Sequence, residues 1–428
     1  MKKRIKNSIE SFAYKHPNTW REISKTVRFF RCMKTAYYRK NLTFKKDGKI
    51  RVAFIINMPE VWTSLQPVYE QMSVDPRFET YIIAQPKRIS NPAVNDAFAF
   101  LNSKYLNVIN AYMGEGQWFD PKQLNIEYTF YTRPYNEYHP LLEPSETRKY
   151  SITCHIPYGY ILSSGDIFDT CYNGSFLCNC SVLFDCSRSA LNLNYKRFGL
   201  AAKARLINLE FLGFPRFDLL QRNNGRSDKK NGEFTILWTP RFPTPGNGFN
   251  IAGHFLDYYK DLIQYAQNNE GVRVIIRPHP LMFERFRSLR ILTADKIEKI
   301  KREIEEAKNV EFDVNKDYRI SFEKADLLVS DFSSLIIEYY YLDKPIILCD
   351  DLEDLLEEAA RINQTIYHCS DWNEMKHMID GIKAGNDPLS QKRSALIDEL
   401  AEVNESSGHR IIEYIASDYV KHSAKQNK

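Results

Sequence analysis

The residues best suited to chemistry sit in the second half of the chain. Val329-Ser330-Asp331-Phe332-Ser333-Ser334 leads into Leu335-Ile336-Ile337-Glu338. This reads as a buried strand, two hydroxyls at a helix start, and a carboxylate about one turn deeper. A helix start offers free N–H groups and positive partial charge. Serine hydroxyls there can hold a phosphate, and Glu338 is placed to meet ribose hydroxyls. The same pattern also fits an ordinary serine cap that holds no ligand. Arg277-Pro278-His279-Pro280 follows the apolar run VRVII. Two prolines stiffen that exit and remove two backbone donors, so they fix the directions of Arg277 and His279. A guanidinium suits bidentate phosphate contact, and an imidazole can donate to a leaving phosphate. Trp238-Thr239-Pro240-Arg241-Phe242 brings Arg241 to a further strand exit.

The elements around these residues alternate. Residues 49–57 (KIRVAFIIN) read as a buried strand, 62–72 as a helix and 80–84 as a strand. Strand-like runs continue at 125–131, 150–155, 180–186 and 206–212. Residues 223–233 (NNGRSDKKNGE) are polar and lack large apolar side chains, which marks a linker. A second series follows: strands at 234–239, 272–277, 326–330 and 345–349, with helices at 253–267, 293–307, 334–342 and 352–361. Such alternation predicts parallel sheets covered on both faces. The expected division is a basic arm at 1–49, a Rossmann-like domain at 50–222, the linker, and a second Rossmann-like domain at 234–428. The final helix is a candidate to cross back. Open α/β sheets bind ligands beyond the carboxyl ends of their strands.

With these pieces in order, the chain resembles the CDP-glycerol glycerophosphotransferase family, which builds or primes teichoic-acid type phosphopolyol polymers. FLGFPRFD at 211–218 resembles the family's G-x-P-R-x-D element, and 238–242 its P-T-x-R element. Arg277 to Pro280 resembles R/K-P-H-P. Asp331 to Glu338, with Lys344-Pro345, resembles D-Y-S-S … D/E … K-P. The resemblance implies a GT-B fold, with two Rossmann-like domains facing each other across a cleft. It implies a transferase that moves glycerol phosphate or a similar polyol phosphate from a CDP-linked donor to a polymer or lipid-linked acceptor. The wall, capsule or teichoic acid would supply that acceptor, and no cofactor or metal is needed. Arg241, Arg277, His279, Asp331, Ser333, Ser334 and Glu338 would then form the donor site, with His279 catalytic. Arg410, in the last helix, matches an arginine the family keeps near its C-terminus. The family's H-G-x-x-x-K turn, whose histidine is the acceptor-side base, corresponds here to His155-Ile156-Pro157-Tyr158-Gly159-Tyr160. Both its glycine and its lysine are missing, so His155 reads either as that base or as a structural histidine. The rival readings are a GT-B glycosyltransferase using a nucleotide-sugar and a non-catalytic scaffold of such a pathway.

Composition frames these readings. With 428 residues the chain is long enough for two domains, and 43% hydrophobic, 26% charged residues describe a globular protein. No apolar run approaches the ~20 residues of a spanning helix. The basic start lacks the apolar core of a signal peptide, which predicts a cytoplasmic protein. Of the eight cysteines, five cluster between Cys154 and Cys186 without a C-x-x-C pair, which favours reduced, buried thiols over a zinc site. Residues 1–49 hold fifteen Lys and Arg against three acids, near +12 in a chain of net +5. That arm predicts an anionic membrane surface as partner, at the inner face of the cell membrane. A solvated helical arm packed on the body is the alternative. Nucleic acid is not expected, because no recognition motif accompanies the charge.

Overall fold

The computed structural model describes residues 17–44, 48–164, 174–220, 232–244, 253–313, 315–349, 354–404 and 406–424. Most of the expected linker, and Cys171, lie outside them. The chain divides into two units. The first comprises Met1–Gly159, Asp169–Pro215 and Ser406–Lys428, and the second Tyr160–Phe168 and Arg216–Glu405. The change of unit therefore falls beside Arg216, inside the FLGFPRFD stretch, a few residues before the polar segment that composition marks.

The first unit is built on seven parallel strands: β1 (Ile50–Ile56), β2 (Phe78–Ala84), β3 (Val108–Asn110), β6 (Tyr128–Tyr131), β7 (Ile152–His155), β8 (Val182–Phe184) and β9 (Asn208–Glu210). Their order is β3-β2-β1-β6-β7-β8-β9, and a small hairpin, β4 (Tyr112–Gly114) with β5 (Gln117–Trp118), follows β3. Phe54 stacks on Phe130 at 5.1 Å across β1 and β6, inside a core that also takes Ile411, Ile412 and Ile415. Those isoleucines belong to the last helix, Ser407–Ala424, so this helix completes the first unit. Its apolar face has nowhere else to be buried, since the four-residue spacing of 411 and 415 lines one side of a helix.

The N-terminal helix Pro17–Asn41 packs on the same unit through Cys32 and Thr35, both about 1% exposed. The Thr35 hydroxyl donates to the Cys178 carbonyl at 2.6 Å and accepts from Arg148 at 2.7 Å. The seven described cysteines are free and buried. Among the described residues no helix is long and apolar enough to cross a membrane.

The second unit carries six parallel strands in the order β12-β11-β10-β13-β14-β15. They are β10 (Phe234–Thr239), β11 (Val272–Ile276), β12 (Val310–Phe312), β13 (Leu327–Ser330), β14 (Ile346–Leu348) and β15 (Tyr367–His368). Every residue of β10 is buried, as a central parallel strand covered on both faces requires. The order reverses direction beside β10, and in such sheets ligands bind beyond the carboxyl ends at that switch.

Candidate active site

Three adjacent strands, β11, β10 and β13, deliver the expected donor residues to one carboxyl edge. Arg277 leaves β11 with its backbone N–H on the Trp238 carbonyl at 2.8 Å, and the His279 N–H reaches the Pro240 carbonyl at 3.0 Å. These bonds splice the R-P-H-P exit to the T-P-R exit. Leu281 donates its N–H to His279 Nδ1 at 3.1 Å. An Nδ1 that accepts leaves the ring proton on Nε2, so His279 carries a fixed N–H donor. The Phe242 ring meets the imidazole edge to face at 5.1 Å and holds its plane.

Each arginine of the edge is set by a buried carboxylate. Arg277 Nη1 donates to Asp313 Oδ2 at 2.6 Å and to the Asn315 carbonyl at 2.9 Å. Burial alone would raise the Asp313 carboxyl. Hydrogen bonds from Ser321 and Arg277 outweigh it and hold the group below the usual range. Asp331, fully buried, accepts the Arg241 N–H at 2.6 Å and the His254 N–H at 3.2 Å, and pairs with His254 Nδ1 at 2.9 Å. Asp331 thereby joins the Arg241 and His254 loops. The close approach needs Gly253, where a Cβ would stand 2.3 Å from the Arg241 carbonyl oxygen. The Arg241 guanidinium reaches the Phe332 carbonyl at 3.4 Å, next to the serines.

The serine pair divides its work. Ser333 Oγ accepts the Leu335 N–H at 3.2 Å and caps the short helix Leu335–Tyr340. Ser334 occupies the N-cap position with no side-chain cap bond. Glu338 departs from expectation. It is fully buried, accepts from Arg216 Nη1 at 2.5 Å, and takes the Tyr318 hydroxyl on its other oxygen. Its carboxylate is thus spent inside the unit, and a ribose contact is replaced by an internal ion pair. Burial pushes the Glu338 carboxyl up, and the Arg216 charge opposes that shift. This pair ties the P-R-x-D element to the D-x-S-S helix. Lys344 of the K-P element donates to the carbonyls of Phe322, Glu323 and Ala325, closing the end of the helix Arg319–Lys324. Burial lowers its pKa to about 8.

The two remaining expected residues lie in the first unit. Arg410 Nε donates to the Leu212 carbonyl at 2.9 Å. His155, the last residue of β7, is 1% exposed, and burial drives its pKa to about 3 against a hydrogen bond with the Thr132 backbone. A ring so enclosed and so weakly basic is a poor match for the expected acceptor-side base. Sequence reasoning missed His254, Asp313 and Tyr318. His254 stands beside a glycine forced by close packing, the one local signal. The other two are marked by no motif.

Residues 198–357 match the family described as CDP-Glycerol:Poly(glycerophosphate) glycerophosphotransferase. Among solved structures, a UDP-N-acetylglucosamine 2-epimerase is 12% identical, with TM-score 0.55, over 87% of this chain and 97% of that one. The UDP-GlcNAc 2-epimerase from Neisseria meningitidis is 11% identical, with TM-score 0.53, over 86% and 100%. The wall teichoic acid polymerase TagF is 13% identical, with TM-score 0.53, over 95% and 99%. Likeness at such identity speaks for the fold, which is GT-B. No curated protein sequence matches the chain. The chain is a transferase carrying a CDP-glycerol glycerophosphotransferase domain on a GT-B scaffold.

Proposed function

We infer that the protein transfers a polyol phosphate, glycerol phosphate or a close relative, from a CDP-linked donor to a hydroxyl of a teichoic-acid, capsule or other wall-type acceptor. The convergence of Arg241, Arg277, His279 and Ser334 on one sheet edge, inside the stretch that matches the family, carries this reading. In the reaction the acceptor oxygen bonds to the polyol-bearing phosphorus. The bond from that phosphorus to the bridging oxygen breaks, CMP leaves, and the acceptor's hydroxyl proton is lost to water. Arg277, Arg241 and the Nε2–H of His279 meet the charge that grows on the departing phosphate. His155, neutral and enclosed, is a weak proton acceptor, so positioning and charge stabilisation supply most of the acceleration.

Incubation with CDP- and UDP-linked donors is expected to release CMP from a CDP-polyol. Release of UDP alone would favour glycosyl transfer instead. Arg277→Ala and His279→Ala are each expected to lower turnover at least ~100-fold with the fold unchanged. Near-normal turnover in both would remove the donor edge.

Residues 1–49 also serve, in this reading, to hold the enzyme on an anionic membrane at the cytoplasmic face. The helix Pro17–Asn41 turns Ile23, Val27, Phe30, Met33 and Tyr37 outward, with Phe30 62% and Tyr37 67% exposed. Arg31, Lys34 and Lys40 are exposed on the same helix. Apolar side chains on the solvent face, bordered by cations, suit a headgroup layer, and each cation adds roughly 1 kcal/mol near anionic lipid. Flotation with anionic vesicles is expected for the whole chain and lost without the arm. Equal flotation of both forms would sink this assignment.

A further inference from the structure

The first unit contains a cavity of about 770 Å³ beside its edge strand β9, whose first and last residues, Asn208 and Glu210, both line it. Its walls come from the end of the helix Pro17–Asn41, the turn before β9, and the last turns of Ser407–Ala424. That volume falls within the range of about 300–1,000 Å³ typical of small-molecule sites. Four permanent cations line it, Arg39, Lys40, Arg205 and Lys421, against two carboxylates, Asp418 and Glu210. Asp418 is already engaged: it takes Arg39 Nη2 at 2.7 Å and the Tyr128 hydroxyl at 2.9 Å. Burial pushes the Glu210 carboxyl up, toward its neutral form. Lys40, Arg205 and Lys421 are exposed; the Lys421 charge acts on the Glu210 carboxyl, and no ion pair joins Lys40 or Arg205 to a carboxylate among the described residues. Between the cations stand neutral hydrogen-bonding groups, Asn41, Thr43, Asn208, Tyr414 and Ser417. Asn208 Nδ2 is fixed by the Tyr414 hydroxyl at 2.8 Å.

We propose that this cavity is a second binding site for a polyol phosphodiester, with Lys40, Arg205 and Lys421 holding the phosphate and the neutral groups its hydroxyls. Excess cationic charge selects an anion, and the hydroxyl and amide lining suits a ligand that carries alcohols beside its phosphate. The room exceeds what a bare phosphate fills. Two sources offer the same chemistry: the headgroup of phosphatidylglycerol and a soluble glycerol-phosphate chain. The site makes no use of the donor edge, and its binding does not depend on turnover.

The test uses the full chain and two probes, phosphatidylglycerol vesicles in a phosphatidylcholine background and a short soluble glycerol-phosphate oligomer. Arg205→Glu and Lys421→Glu alter exposed side chains, so folding is kept, and thermal unfolding checks this. Each is expected to weaken binding of at least one probe by about tenfold or more, the size of one lost charge-assisted contact. Lys296→Glu, an exposed lysine of the second unit, reports diffuse charge alone. Weakening for the oligomer assigns the site to a polymer, and weakening for the vesicles alone assigns it to a headgroup. Unchanged binding of both probes, or an equal loss in Lys296→Glu, overturns the proposal. CMP release from CDP-glycerol is read in parallel on the wild type. Its absence would fail the donor reading while leaving the cavity measurement intact.

Discussion

The carboxyl edges of the two sheets handle polar groups in opposite ways. In the second unit every buried carboxylate has a cation or several donors: Asp313 holds Arg277, Glu338 holds Arg216, and Asp331 holds two backbone amides and His254. At the carboxyl edge of the first sheet two buried ionisable groups are held neutral instead, while ion pairs such as Arg51 with Glu127 and Arg39 with Asp418 stand elsewhere in that unit. His155 is driven down to about 3, and Asp185, just after β8, is pushed up to about 8, both by burial. Asp185 receives one hydrogen bond, from Asn194 at 2.7 Å. Along these two edges charge is retained where a buried ion has a partner and suppressed where it has none. Retaining a buried charge demands a partner for each ion, because desolvation otherwise exceeds the attraction.

The sharpest way to break the comparison is to remove one half of a pair in the second unit. Glu338→Ala is expected to destabilise by about 3–5 kcal/mol, since it leaves Arg216 buried and uncompensated. Denaturant unfolding measures this, and a loss below about 1 kcal/mol would mean that the pair is not a buried ion pair in solution.

The neutral groups of the first unit make a prediction in pH. Between roughly pH 4 and 8 folded Asp185 holds a proton that the unfolded chain has released, so its contribution falls as pH rises through that window. His155 acts with the opposite sign. Below about pH 6.5 the unfolded chain takes a proton that the folded ring refuses until about pH 3, so stability falls as pH falls. Asp185→Asn should therefore remove the fall between about pH 4 and 8 and His155→Gln the loss between about pH 6.5 and 3, each by at most about 1.4 kcal/mol per pH unit. Parallel pH profiles for wild type and variant would show that the group titrates normally.

The smallest expected effect separates the two serines. Ser333→Ala should cost about 1 kcal/mol of stability through the lost cap. Ser334→Ala should leave stability nearly unchanged and weaken CDP-glycerol binding. Calorimetry showing unchanged nucleotide affinity in Ser334→Ala would reduce both serines to capping.

Much of the second unit was legible in the chain. The run at 234–239 is a strand to the residue, because six consecutive apolar or β-favouring side chains suit a strand covered on both faces. The short strands β3, β12 and β15 were not, whereas the equally short β8, β9 and β14 lie inside longer strand-like runs and were. The expected helix at 62–72 splits into a 3-10 turn, Pro59–Ser64, and the helix Gln66–Val74, with Pro67 starting the second piece. The N-terminal charge was plain in composition, whereas the outward stripe from Ile23 to Tyr37 required knowing which helix face packs.

The sequence by itself determined the alternating architecture and which motif residues, Arg241, Arg277, His279, Ser333 and Ser334, leave strands at one carboxyl edge. Strand ends and proline exits are local, and local patterns survive in one dimension. Only the tertiary structure decided what holds them. Arg277 meets Asp313 across 36 residues, Arg241 meets Asp331 across 90, and Arg216 meets Glu338 across 122. Whether a carboxylate such as Glu338 faces a ligand or a buried guanidinium depends on what surrounds it. Burial and pairing at such separations arise only when the sheet is assembled.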